Sequence, residues 1–208
     1  MRYALVLWDF DGTLADTLTS GLESYNEVAD RYGFARVEDP SLVRDMSMRE
    51  FLRAHRVPFW RVPFLVRELV ARQNQRMPGV RLYPGVVDVL QRLRHLACPT
   101  GIVSTNSAEN IRIALRANQC EQDVDFIVGS VRLFGKKRAL RRVVAQRCVP
   151  PQQVLYIGDE VRDIEAGLAA GVHVAAVTWG SNSPALLASH SPTYLVASPS
   201  QLLSILQA

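Results

Sequence analysis

Lysine is almost missing from this chain. Of 24 basic residues 22 are arginine, and the two lysines, Lys136 and Lys137, are neighbours in FGKKRAL. Cysteine is scarce as well. Cys98, Cys120 and Cys148 are odd in number, widely spaced and free of CxxC pairing. That argues against a disulfide framework or a thiolate zinc site, and buried thiols in a reducing compartment are expected instead. Long hydrophobic runs are also lacking. The first strongly apolar segment, Tyr3 to Trp8, is too short for a membrane span or a signal peptide and runs straight into acids. The expectation is a soluble cytoplasmic protein with no membrane partner. The four histidines (55, 95, 173 and 190) are scattered and suggest no histidine chemistry. No internal repeat and no low-complexity segment appears.

What is present is a globular composition: 208 residues, 48% of them hydrophobic, enough for one domain carrying an insertion. Apolar runs of strand character recur at 3–8, 99–104, 124–128, 153–157, 172–178 and, weakly, 194–196. Helical patterns lie at 86–96, 107–118, 136–147, 161–170, 183–189 and 199–207. This alternation predicts βαβ units, and hence a parallel sheet with helices on both faces. Residues 15–82 break the rhythm. They read as helices at 17–32, 47–55 (with SMRE as a capping box from Ser47 to Glu50) and 64–76, set off by Pro58 and Pro63. The core is therefore expected in 1–14 and 83–208, with a helical insertion at 15–82. Within it, Phe59 and Trp60 are expected to pack in the insertion's own core.

Charge is uneven. Between residues 41 and 82 nine arginines face only Asp45, Glu50 and Glu68. Such a face suits either a solvated helical surface or an anionic partner.

Ligands of open α/β sheets bind beyond the carboxyl ends of the strands. The first apolar run ends in Asp9-Phe10-Asp11-Gly12-Thr13, the second in Ser104-Thr105-Asn106, and the run at 153–157 in Gly158-Asp159-Glu160 followed by Asp163. Acids gathered at one sheet edge repel one another unless a cation compensates them. Carboxylates without nearby Cys or His suit a hard cation, magnesium above all. Asp9, Asp11 and Asp159 are the candidate ligands, with Asp163 one step removed. Two lysines kept together in an arginine-rich chain suggest a compact ammonium at a phosphoryl site.

These residues carry a resemblance. The chain resembles the haloacid dehalogenase superfamily hydrolases, and among them the phosphoglycolate phosphatase-like branch. DFDGTLADT (9–17) is similar to the family's first motif, the strand ending at Ser104 to the second, Lys136 to the lysine of the third, and GDEVRD (158–163) to the fourth. IEAGLAAG and VTWG continue as that branch does. The resemblance implies a Rossmann-like α/β core with a helical cap domain inserted after the first strand. It implies Asp9 as nucleophile and Asp11 as general acid and base. It implies Mg2+ held by Asp9, the Asp11 backbone carbonyl and Asp159. Ser104 and Lys136 would hold the phosphoryl oxygens, and Asp163 would orient Lys136 or a metal-bound water. Asp11 favours phosphate esters over dehalogenation or phosphonate cleavage, and Gly12 permits the turn that brings it over the site.

The expected activity is thus Mg-dependent hydrolysis of a small phosphorylated metabolite, phosphoglycolate-like. A sugar-phosphate mutase of the same architecture is the nearest alternative. A non-catalytic module binding an anion or nucleic acid through the basic cap is the further one, although no nucleic-acid partner is expected. Arg44, Arg49 and Arg53, with Thr105 and Asn106, are candidate substrate contacts. Lys136 is not followed by Pro, so Lys137 stays open as the functional lysine. Glu160 replaces the usual Ser or Asp, and its role is open too.

Overall fold

The structure is a computed structural model and describes residues 2–132 and 135–207, with the side chain of Gln207 left aside. Six parallel strands form one sheet among the described residues: β1 (Leu5–Trp8), β2 (Thr100–Val103), β3 (Phe126–Val128), β4 (Val154–Gly158), β5 (His173–Val177) and β6 (Tyr194–Val196). Their order is β3-β2-β1-β4-β5-β6. The chain leaves β1 towards β2 on one side, and leaves β4 towards β5 on the other. The crevice between the carboxyl ends of β1 and β4 is therefore the topological switch point, where such sheets bind ligands.

Alternation along the strands explains why both faces are covered. Val6 and Trp8 of β1, with Leu155 and Ile157 of β4, pack under α4 (Val86–His95), α5 (Ala108–Ala117) and α9 (Pro199–Gln207). Leu5, Leu7, Val154 and Tyr156 face the opposite way, onto α6 (Lys136–Arg147) and α7 (Val161–Ala170). On α4 the buried residues are Val86, Val89, Leu90 and Leu93, one stripe at helical spacing. Each such side chain, fully buried, contributes about 1.5–3 kcal/mol of transfer free energy.

Between β1 and α4 lie α1 (Thr17–Tyr32), α2 (Met48–Ala54) and α3 (Val62–Arg76). Asp16 caps α1 by accepting from the Thr19 amide, and Gly33 ends it in a left-handed turn at φ 72°. Ser47 and Glu50 close the expected capping box on α2. Helix α3 starts two residues before the predicted 64, because Pro63 sits in its first turn, where a missing N–H costs nothing. Tyr25, Val28, Phe34, Leu52 and Leu65 form a hydrophobic cluster separate from the sheet. Phe59 and Trp60 do not join it. They are 84% and 72% exposed, in a short turn after Pro58 that points them outward, with the Arg61 guanidinium over the Trp60 ring. The two crossings between sheet and helices run side by side. The Asp16 amide donates to the Arg81 carbonyl, and the Tyr83 amide to that of Leu14 (both 2.9 Å). Cys98 and Cys120 are buried as expected, while Cys148 is exposed at the end of α6.

Candidate active site

Strand β1 stops at Trp8, and the next carboxylate, Asp9, is buried. Gly12 then turns the chain at φ 74°. A Cβ there would lie 2.2 Å from Asp159 Oδ2, so only glycine lets the two motifs approach this closely. Asp159, just past β4, accepts from the Thr13 hydroxyl at Oδ1 and from the Ser181 amide at Oδ2, each at 2.7 Å. Lys136 opens α6 and lies 2% exposed between two carboxylates, its Nζ 2.6 Å from Asp9 Oδ2 and 2.5 Å from Asp163 Oδ1. The Tyr156 hydroxyl also donates to Asp163 Oδ1 (3.0 Å), and the Glu160 amide donates to its Oδ2 (3.2 Å).

One carboxylate oxygen each from Asp9, Asp159 and Asp163 lies within 4.8 Å of the others. Three buried acids against one buried ammonium leave two negative charges when all are ionised. The electrostatics show the strain of that arrangement. Burial first, then the Asp163 charge, push Asp9 up to about 7 against the pull of Lys136. Burial, Asp163 and Glu160 push Asp159 up to about 7, against the Ser181 and Thr13 hydrogen bonds. For Lys136, burial works against the charge, but Asp163 and Asp9 outweigh it and hold the ammonium firmly protonated. Among the described residues Asp9 Oδ1 is buried with no hydrogen-bond partner. An orphaned carboxylate oxygen, a deficit of two charges and donors that are all oxygen fit a hard divalent cation. The arrangement suits Asp163 to fixing Lys136, because the Lys136 ammonium itself donates to its Oδ1.

A pH dependence follows. The folded chain holds protons on Asp9 and Asp159 up to about 7, whereas the unfolded chain releases them near the ordinary 3.8. Metal-free stability from these groups is therefore present below that lower value and lost as pH rises through about 7. Calorimetry in EDTA should show Tm falling more steeply from about pH 5 to about pH 8 in the wild type than in Asp159→Asn, with Mg2+ reversing the fall. Parallel curves for the two proteins would contradict it.

Asp11 is half-buried at the mouth of the site. The Asn106 amide donates to both its oxygens (3.1 and 3.2 Å), and Gln73 on α3 donates to Oδ1 (3.2 Å). Burial raises the Asp11 carboxyl above the ordinary range, against hydrogen bonds from Thr17 and Asn106. Ser104 is buried at the end of β2, and its Oγ accepts the Asn106 amide at 3.2 Å. Thr105 is half-buried beside it. Glu160 faces Arg162, whose guanidinium it pairs with.

Asp9, Asp11, Ser104, Asn106, Lys136, Asp159 and Asp163 are thus brought to one sheet edge. Arg49 and Arg53 are not: they lie exposed on α2, beside Met48, Leu52 and Phe59. Arg44 is turned to backbone carbonyls of the loop after β5 and not towards the acids. Lys137 is exposed, one position further around α6. Sequence reasoning missed Tyr156, whose hydroxyl hides in an apolar strand pattern, and Gln73, which looks like any surface residue of α3. It also missed the Ser181 amide, because a backbone donor leaves no signal in residue type.

A doubly wound sheet with acids and an ammonium at its switch point defines an α/β enzyme built to handle an anionic group. The family model described as haloacid dehalogenase-like hydrolase matches residues 6–177. The chain belongs to that family, and it is a hydrolase of the phosphatase type. A phosphoglycolate phosphatase of Synechococcus elongatus is 32% identical over 200 residues, covering 95% of this chain and 94% of the relative. The pyrophosphatase PpaX of Bacillus mycoides is 23% identical over 212 residues, covering 99% and 98%. A haloacid dehalogenase-like family hydrolase of Streptococcus pneumoniae superposes with a TM-score of 0.84 at 20% identity, covering 99% of each chain.

Proposed function

We propose that this chain is a Mg2+-dependent phosphatase that hydrolyses a small phosphorylated metabolite, phosphoglycolate-like, through an aspartyl-phosphate on Asp9. The observation that carries the reading is the state of Asp9. One carboxylate oxygen is clamped by Lys136 and the other is buried without a partner among the described residues, with a half-buried carboxyl, Asp11, two residues away. Asp9 forms the new bond to phosphorus as the bond to the leaving oxygen breaks. Asp11, whose carboxyl is raised by burial, gives its proton to that oxygen. It then takes a proton from the water that attacks phosphorus, which frees inorganic phosphate and restores Asp9. Ser104 and Lys136 bind the phosphoryl oxygens, and Asp163 with Tyr156 keeps Lys136 in place. Asp9, the Asp11 carbonyl and Asp159 would hold Mg2+, which when bound screens the nucleophile from the substrate's negative charge.

Residues 15–82 are proposed as the cap and 1–14 with 83–208 as the core. The separate hydrophobic cluster of the helices supports this. So does Gln73, which reaches from α3 to Asp11 and closes the space above the site to a small leaving group. The phosphoglycolate-like substrate is supported by the Synechococcus relative. A cytoplasmic setting is proposed from the two buried free thiols; no described helix is long and apolar enough to cross a membrane.

The test is phosphate release across a panel containing phosphoglycolate, pyrophosphate and hexose phosphates, with Mg2+ and with EDTA. Release with Mg2+, abolished by EDTA and strongest with phosphoglycolate, is expected. No release from any member by the wild type would overturn the reading.

A further inference from the structure

We propose that Arg44 is a positioning residue for the metal site. Through the loop 178–183 it ties closure of the helical segment to the hold on Asp159, so that a bound divalent cation and the closed cap favour each other. The inference rests on the function proposed above and adds a regulation of that same site.

Arg44 follows the short turn Pro40–Val43, and its guanidinium reaches from the helical segment to the loop after β5. Its Nη2 donates to the carbonyls of Gly180 (2.7 Å), Thr178 (2.9 Å) and Asn182 (3.2 Å), and its Nε to that of Ser181 (3.3 Å). The loop answers with two bonds of its own. Asn182 Nδ2 donates to the Arg44 carbonyl (3.1 Å), and the Ser183 amide to Asp45 Oδ1 (2.9 Å). The other side of the same loop is spent on Asp159. The Ser181 amide donates to Asp159 Oδ2 (2.7 Å), and the Asn182 amide to the Asp159 carbonyl (3.3 Å). Trp179 Nε1 donates to the carbonyl of Thr13 (3.0 Å), the residue whose hydroxyl holds Asp159 Oδ1.

The peptide units make the connection direct. The Gly180 carbonyl and the Ser181 N–H belong to one planar group. Arg44 takes the oxygen end of that group, and Asp159 Oδ2 takes the hydrogen end. The next group repeats the pattern, with Arg44 on the Ser181 carbonyl and the Asp159 carbonyl on the Asn182 N–H. Two adjacent peptides are thus held edge-on between a guanidinium and the metal-ligand residue. Each such chain of hydrogen bonds is polarised so that the outer bond strengthens the inner one. Rotating either peptide breaks both of its ends together. Gly180 is the residue that lets the loop pass so close, since a Cβ there would lie 2.3 Å from the Asp159 Cβ. Nη2 serves three of the four carbonyls and Nε the fourth; two nitrogens fixed in one plane address both peptides at once, which the single nitrogen of a lysine does not.

When the cap opens, Arg44 withdraws and the Ser181 N–H loses the partner that fixes its direction. Asp159 then loses the donor that orients the oxygen offered to the cation. Linkage makes the coupling reciprocal: whatever closure adds to cation affinity, the cation adds to closure.

The experiment measures Mg2+ alone on the full chain, by titration calorimetry. Hydrogen exchange is followed in segments 40–46 and 176–184, with and without Mg2+. In the wild type, Mg2+ should slow exchange in both segments. Arg44→Ala should weaken Mg2+ at least about fivefold, the low end of usual coupling, and should lose the Mg2+-dependent protection of 40–46. Arg44→Lys should behave like Arg44→Ala, whereas Asp45→Ala, which removes one strut, should lose less. A melting curve in EDTA checks that each variant is folded. Wild-type affinity in a folded Arg44→Ala would overturn the coupling. So would a wild type whose segment 40–46 ignores bound Mg2+, a result that needs no variant. A wild type that binds no Mg2+ would overturn the proposed function and this inference with it, so the two failures are distinguishable.

Discussion

Asp9→Asn is expected to leave a folded protein with no measurable turnover, a loss of at least about 10⁴-fold in kcat, the scale on which removed nucleophiles act. The amide keeps the size of the carboxylate, and its oxygen still accepts from Lys136, so the packing around β1 has no reason to change. What disappears is the anionic oxygen that bonds to phosphorus. The same change removes one of the three buried carboxylates, and with it the repulsion from Asp163 and Asp159 that, after burial, pushes Asp9 up to about 7. In EDTA at about pH 8 the variant should therefore melt no lower than the wild type, and higher if the repulsion dominates the lost charge-assisted bond. Phosphate release and calorimetry on one preparation decide the matter. Turnover within tenfold of wild type would remove Asp9 as nucleophile, whereas a large fall in Tm would show that it serves the fold.

That separation of chemistry from packing also explains what could be read in advance. Strand positions were legible because β1, β2 and β4 are continuous apolar runs, buried on both faces, and each ends where polar residues begin. The parallel sheet then places Asp9, Ser104 and Asp159 at one edge by topology alone. What stayed hidden belongs to three physical kinds. Tyr156 keeps an aromatic body in the core and lends only its hydroxyl to Asp163. The Ser181 amide is backbone, so no side chain announces it. Arg44 is one of nine arginines in a basic stretch, and its docking on loop 178–183 spans more than 130 residues of sequence. Phe59 and Trp60 misled for the opposite reason. Their bulk reads as core, yet Tyr25, Val28, Phe34 and Leu65 already fill the cluster, and exposed apolar side chains are common.

The lysine pair turns a sequence ambiguity into a sharp test. Lys136→Ala should cost about 10²–10⁴-fold in kcat/KM, the range of a lost charge-stabilising group, and Lys137→Ala less than about twofold. Helix α6 begins at Lys136, so its side chain turns inward to Asp9 and Asp163 while the next residue, about 100° around the helix, meets solvent. Removing the Lys136 ammonium does more than lose a contact to phosphate. It leaves Asp9, Asp159 and Asp163 within 4.8 Å of one another without the ammonium that pairs with Asp9 and Asp163, and buried charges stripped of a partner typically cost about 3–5 kcal/mol. The variant should accordingly melt well below wild type in EDTA at about pH 8. It should recover towards acid pH, where Asp9 and Asp159 can take up protons, and on adding Mg2+. Lys136→Arg should not rescue it, because a guanidinium fork is too wide for a site built around one nitrogen within 2.6 Å of both Asp9 and Asp163. If Lys137→Ala instead carried the loss, the phosphoryl group would be approached from the solvent side of α6. The buried Lys136 would then be a structural counter-ion, with Tm sensitive to its removal but kcat/KM per folded molecule unchanged.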